Sequence, residues 1–269
     1  SDNDDRRNGK TIDGNFCFRA GTQVLTERGN RDIEKLMVGD MVYTASGSIH
    51  QVRKLTSYRS DDNRIVRVTG ALPVNCTHDH RFLAKKAIGR LNGIKRYSEP
   101  GFYAASELSV GDRIALPELR LNDTLVSTED MMFARALGMY LARGYIEDGA
   151  VIIPTNVNME TEHRTVLKLA GLKATKRTVN GSIRYVVYSG ASETCGRFVT
   201  ECLRCVRGSN HEHVPKSILS APKDTVRSFI VGYTDNVGSF DDFHGKLIKM
   251  STVSPHLAND LLILLRSLG

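Results

Sequence analysis

The chain has 269 residues, 41% hydrophobic and 25% charged, a length that suits two cores and a composition that excludes a fibrous or wholly disordered protein. Its net charge of +7 favours polyanionic partners, because Lys and Arg gain by displacing the counterions of phosphates. Five cysteines at uneven spacings exclude a secreted disulfide scaffold and no apolar run reaches membrane-spanning length, so the expected setting is intracellular and reducing, with no membrane partner.

Residues 1–16 are rich in Asp, Asn and Gly with nothing periodic to bury, which predicts a flexible or extended tail. From Cys17 to about Leu116, alternating runs over 23–26, 40–44, 51–55 and 64–69 are broken by Gly, Asn and Asp, and this close period-2 spacing predicts an all-β unit. Leu-x-Val-Gly-Asp occurs at 36–40 and returns at 108–112, an internal repeat. A linker is expected at 117–124. A helix should then start near Thr128, an N-cap residue followed by the acidic Glu129 and Asp130 and by apolar residues at helical spacing. Gly-x5-Gly at Gly138 and Gly144 returns at Gly232 and Gly238, small residues that let two helices approach closely. Residues 177–188 read as a hairpin turning at Asn180-Gly181. Cys195, Phe198, Cys202 and Cys205 share one helical face, and Cys-x2-Cys before His211 and His213 is not a common finger spacing, which favours core cysteines over a zinc site. Residues 246–252 read as a strand and 255–265 as a helix.

Cys17-Phe-Arg-Ala-Gly-Thr, the strand after it, the Leu-x-Val-Gly-Asp turn and Thr77-His78-Asp79-His80 together resemble the amino-terminal part of inteins, self-excising members of the Hedgehog/intein (Hint) class. The Hint fold has two related β halves in a horseshoe-like arrangement, and the duplicated turn is what such an architecture would leave in a sequence. The resemblance implies that Cys17 attacks the carbonyl of Phe16 in an N-to-S acyl shift, nucleophilic catalysis within one chain that needs no cofactor. It also makes residues 1–16 a flanking extein segment attached in cis. In the family, the residue matching His80 hydrogen-bonds and protonates the scissile amide nitrogen, and the one matching Thr77 helps hold the strained bond; imidazole suits this because its pKa lies near neutrality. His78 and Asp79 are candidates for tuning His80. Inteins close with His-Asn before Cys, Ser or Thr, whereas this sequence closes with Leu265-Arg-Ser-Leu-Gly269. The implied activity is therefore thioester formation or cleavage at the Phe16–Cys17 bond, with a C-terminal intein fragment as an expected partner for complete splicing.

The paired Gly-x5-Gly segments, and the lead-in from Val214 to the second, resemble the signature helices of LAGLIDADG homing endonucleases. These cut DNA with one metal-binding acid per helix, usually around Mg2+. In that frame the acid positions are Arg143 and Val237, neither of which binds a metal, so Mg2+ would matter only if the nuclease were active. A competing frame uses Glu147-Asp148-Gly149 with Asp148 as ligand, but it breaks the spacing shared with the second copy. Asp235 occupies an earlier acid position. Arg164, Lys168, Lys173, Lys176, Arg177 and Arg184 fit phosphate contacts of double-stranded DNA, or equally a solvated charged face. The expected organisation is a flank at 1–16, a mainly β Hint domain at 17–120 and an α+β LAGLIDADG domain at 121–269, with a DNA-facing antiparallel sheet and an incomplete second repeat. Two functions compete: a splicing element with a DNA-binding but inactive endonuclease, or a site-specific endonuclease or nickase with vestigial splicing chemistry. A Hedgehog-like autoprocessing domain is disfavoured by the second half.

Overall fold

A computed structural model describes residues 16–44, 46–57, 65–70, 73–116, 119, 121–205, 212–237, 239–240 and 248–269. Residues 1–15 of the expected tail at 1–16, Gly238 and His211 lie outside them. In chain order the strands begin with β1 (Gln23–Thr26), β2 (Gly29–Asp32), β3 (Met41–Tyr43), β4 (Ile49–Gln51), β5 (Ile65–Val68) and β6 (Val74–Thr77). They continue with β7 (Arg81–Lys85), β8 (Ala87–Leu91), β9 (Ile94–Tyr97), β10 (Gly101–Ala104) and β11 (Arg113–Ile114). After α1 (Thr128–Arg143) come β12 (Tyr145–Glu147), β13 (Ala150–Thr155), α2 (Glu160–Leu169), β14 (Ala174–Val179), β15 (Ser182–Tyr188) and α3 (Glu193–Arg204). The last elements are α4 (Lys216–Leu219), α5 (Lys223–Val237), β16 (Ser239–Phe240), β17 (Ile248–Lys249) and α6 (Pro255–Ser267).

Two compact units emerge. The first gathers the described residues of Ser1–Thr22, Asp32–Leu36 and Lys54–Leu116. It holds the β5-β6 pair, the β10-β7-β11 sheet and the β8-β9 ribbon, all antiparallel. The second gathers Gln23–Arg31, Met37–Arg53 and Pro117–Gly269.

The duplicated sequence turn is a duplicated structure. Each copy follows a 3-10 turn, Ile33–Lys35 or Ala105–Glu107. Each then needs glycine, because Gly39 and Gly111 adopt φ of +102° and +105°, where a β-carbon is strained. The carboxylate that follows closes the turn: Met37 N donates to Asp40 Oδ2 at 2.8 Å and Ser109 N to Asp112 Oδ2 at 2.9 Å. A cation completes each copy, Arg31 Nη1 at 3.2 Å from Asp40 and Lys86 Nζ at 2.6 Å from Asp112. The Lys86 hydrogen bond, then that from Ala87 N, holds the Asp112 carboxyl down to about 2.

One strand expectation needs correction. The run at 51–55 does not form a strand; β4 covers Ile49–Gln51 instead. Its partner β3 is three residues long, and once Val52 N has donated to Asp40 O the ladder reaches the Gly39-Asp40 turn and has no further edge to pair with.

In the second unit the sheet order is β12-β13-β15-β14. One face carries Val151, Ile153, Tyr185 and Val187, all buried, and Tyr185 O–H donates to Glu160 of α2 at 2.9 Å. The other carries Ala150, Ile152 and Val186 with Tyr145 packed on them. The hairpin expected at Asn180-Gly181 is present, with φ of +49° and +76° as a two-residue I′ turn requires. Helix α1 starts at Thr128, but the cap is Ser127, whose hydroxyl accepts from Asp130 N at 3.0 Å. Helices α1 and α5 touch backbone to backbone. A β-carbon on Gly138 would overlap the Phe229 carbonyl oxygen and lie 2.8 Å from Tyr233 N; one on Gly232 would overlap the Arg135 carbonyl oxygen. Arg135 then clamps the pair, with Nη2 at 2.6 Å from Asp235 and a second contact to Glu162.

Candidate active site

The site is built on strand β6. One edge pairs with β5, from Ile65 opposite Thr77 to Val68 opposite Val74. The other edge takes the segment that follows Phe16. Arg19 N donates to Asn75 O at 2.8 Å, Phe18 bridges Cys76, and Thr77 N donates to Cys17 O at 2.9 Å. Thr77 grips Cys17 a second time, because Cys17 N, the nitrogen of the Phe16–Cys17 amide, donates to Thr77 Oγ1 at 3.2 Å. Both main-chain polar groups of Cys17 are thus held by one threonine, and the Cys17 thiol, half-buried and outside any disulfide, sits on a restrained backbone.

After Thr77 the chain turns, His80 N donating to Thr77 O at 3.1 Å. The turn is pinned from outside by Ala105 N donating to His80 O at 2.8 Å and Ser106 N to His78 O at 2.9 Å. This returns the His80 ring to the segment it left: it lies 4.0 Å from the Phe18 ring, centroid to centroid, and 5.3 Å from Phe82. Burial among these rings pushes the His80 pKa down, with the Asp79 carboxylate partly opposing it. At neutral pH the ring is therefore mainly uncharged. Its Nδ1 and the Oδ1 of Asp79 are both buried without a hydrogen-bond partner among the described residues. Each such atom costs roughly 1–3 kcal/mol, so the turn holds polar capacity that its own fold does not use. Cys76, the other thiol on β6, is fully buried and pushed up to about 11, first by desolvation and then by Asp79, so it is a poor nucleophile.

The structure thus brings Cys17, Thr77 and His80 into one cluster, with His78 and Asp79 in the turn between the last two. Sequence reasoning missed Phe18 and Phe82. Phe18 directly follows Cys17 and Phe82 lies two residues after His80, but nothing local says that segments so far apart in the chain bring their rings together.

In the second unit the anticipated residues separate. Arg143 is the exposed last residue of α1, and Val237 ends α5. Asp148 is not at a helix end: it sits at φ +49° in the turn between β12 and β13. Asp235 is engaged by Arg135. Of the six basic candidates, Arg177 and Arg184 are direct cross-strand neighbours, on the sheet face of Ile152 and Val186. Lys176 points to the opposite face, 3.3 Å from Glu160. Arg164 and Lys168 are exposed on α2, and Lys173 is exposed in the connection after it. Cys195, Cys202 and Cys205 are core residues at 0%, 0% and 1% exposure, and burial raises the pKa of the last two, as expected of structural thiols. His213 is likewise lowered by burial. Among the described residues no cluster of His, Cys, Asp and Glu could hold a metal ion, and no helix is long and apolar enough to cross a membrane.

Residues 16–86 match the family model of the Hint domain. The match opens at Phe16, one residue before the half-buried thiol, and encloses Thr77 and His80. No curated protein matches the chain.

Proposed function

We propose that the Hint-type domain of residues 16–86, a domain of protein splicing and autoprocessing, carries out an intein-type N-to-S acyl shift. The Cys17 thiol gives its proton to the neutral His80 imidazole and attacks the Phe16 carbonyl carbon, forming the C–S bond. The C–N bond then breaks as the imidazolium returns that proton to the nitrogen, which leaves as the α-amine of Cys17. Residues 1–16 end as an acyl group on sulfur. The observation that supports this most is the double grip of Thr77 on Cys17, which fixes the scissile nitrogen against a hydroxyl. As that nitrogen loses amide character its lone pair becomes an acceptor, and the same hydroxyl can turn to donate to it. The neutral His80 ring beside Phe18 is suited to carry the thiol proton to that nitrogen, tuned by Asp79. Residues 121–269 are read as a LAGLIDADG-like part that binds DNA through the sheet face of Arg177 and Arg184. The glycine-mediated α1–α5 crossing supports that reading. Arg143 in place of a metal-binding acid and the engagement of Asp235 by Arg135 favour binding without cleavage, and so without Mg2+.

Intact mass before and after excess dithiothreitol tests the first reading. The chain should lose residues 1–16, and the Cys17→Ala chain should lose nothing. Equal loss from both, or none from either, removes the acyl shift.

A further inference from the structure

The match to the Hint family ends at Lys86, and the next residue begins a feature that the acyl-transfer chemistry does not use. Strands β7 and β10 pair with each other, Ala84 opposite Gly101, and would need only a short turn between them. Instead the chain runs out as the β8-β9 ribbon and back, closed at its base by Ser98 N donating to Lys86 O at 2.9 Å and at its tip by Asn92-Gly93 with φ of +50° and +80°. Every residue of β8 and the first three of β9 are exposed. Residues 85–98 contain Lys85, Lys86, Arg90, Lys95 and Arg96 and no acid. Lys86 is taken by Asp112, while among the described residues Lys85, Lys95 and Arg96 form no ion pair.

Two details say that the ribbon is shaped for a partner. Arg90 and Lys95 are directly opposite each other across the ribbon, a like-charge pair that works against the hairpin unless an anion lies over it. On the other face Leu91 and Ile94 are 58% and 72% exposed, beside Arg96, so apolar and cationic groups alternate along one accessible surface. We propose that the β8-β9 ribbon is a docking element for double-stranded DNA: it enters the major groove, which admits a two-stranded ribbon, with Arg90, Lys95 and Arg96 on phosphates or base edges and Leu91 and Ile94 against thymine methyl groups. The deep, narrow major groove of RNA helices would exclude it. Single strands are not favoured either, because Tyr97, the ribbon's aromatic residue, is covered by the Arg113 guanidinium at 4.2 Å instead of being open for base stacking.

The test is fluorescence anisotropy of the full chain on a mixed-sequence duplex across a salt series, with Lys95→Gln/Arg96→Gln beside a charge-matched control, Arg204→Gln/Arg227→Gln, taken from exposed positions on α3 and α5. The ribbon variant should lose affinity about tenfold and lower the log–log salt slope by about 2, near one per phosphate contact, while the control stays close to the parent. Lys95→Glu separates function from folding. It replaces a like-charge pair by an opposite-charge pair, so the thermal midpoint should hold or rise while duplex affinity falls. Equal effects of the two double variants, an unchanged ribbon variant, or binding of anionic phosphatidylserine vesicles in preference to duplex would each overturn the proposal. The reading stands apart from the Cys17 chemistry, since Cys17→Ala should bind duplex as the parent does.

Discussion

Thr77 meets Cys17 through two different atoms, and substitutions can separate them. Thr77→Ser keeps a hydroxyl near the 3.2 Å contact to Cys17 N, whereas Thr77→Val keeps the shape and the main-chain bond to Cys17 O but removes the polar atom. Thiol-dependent release of residues 1–16 should fall on the order of 100-fold in Thr77→Val and by much less in Thr77→Ser. Progress curves by intact mass would check this, and equal rates for the two would mean that the hydroxyl is only a strand residue. For His80 the sign follows from burial. Its folded pKa is lowered below the ordinary 6.5, so its contribution to stability is present above that value and is lost as pH falls through the folded one. For activity, the ring must start neutral to take the thiol proton, so release should slow as pH falls through the depressed value. Asp79→Asn removes the carboxylate that opposes the shift, so this inflection should move to lower pH. A pH–rate profile beside the parent measures it.

At the level of elements, the α1–α5 crossing is the least tolerant. Ala has a higher intrinsic helix propensity than Gly by about 1 kcal/mol, but the added carbon on Gly138 overlaps the Phe229 carbonyl and cannot be placed without separating two backbones. The steric effect should win, and Gly138→Ala should lower unfolding free energy by about 2–3 kcal/mol, read from urea titration. Elements of this kind were legible in the sequence wherever a local conformation demanded a particular residue. Asn180-Gly181 and the two Leu-x-Val-Gly-Asp turns require positive φ at defined positions, and α1 announced itself by its acidic first turn. The β8-β9 ribbon carries the same signal at Asn92-Gly93, yet it is not among the alternating runs because Ile88, Leu91 and Ile94 fall on an unburied surface. The end of β4 was misplaced because strand length is set by the partner strand, and that partner is interrupted by a turn.

For the whole molecule, the contacts that matter most join residues that no local pattern relates. Asp260 on α6 is fully buried, and its carboxylate accepts from Asn30 N at 3.1 Å, Asn30 Nδ2 at 2.6 Å and Val214 N at 2.9 Å. Strand β2 is thereby tied to a helix 230 positions away, within one compact unit. Glycine at position 29 serves the same junction, since a β-carbon there would stand 3.0 Å from the His213 side chain and 3.2 Å from Asp260 Oδ2. Burial pushes the Asp260 pKa up to about 7 against those three donors. A raised carboxyl favours the folded state at low pH, so this contribution declines as pH rises from the ordinary 3.8 through about 7. Asp260→Asn should lose that decline. It should also be less stable by roughly 1–3 kcal/mol, because an amide N–H2 would face the Val214 N–H. Urea unfolding at pH 5 and pH 8 would read both effects.

The acyl shift makes a demand that no protease or adventitious cleavage meets: the released segment must have been an acyl group on sulfur, and the remaining chain must begin with a free amino-terminal cysteine. Treatment with hydroxylamine at neutral pH, followed by tandem mass spectrometry of both products, measures this directly. The expected result is a peptide of residues 1–16 ending in a Phe16 hydroxamate, together with a chain starting at Cys17 that ligates to a peptide thioester. A Phe16 carboxylate alone, a cut at any other bond, or the same products from Cys17→Ala would contradict the account.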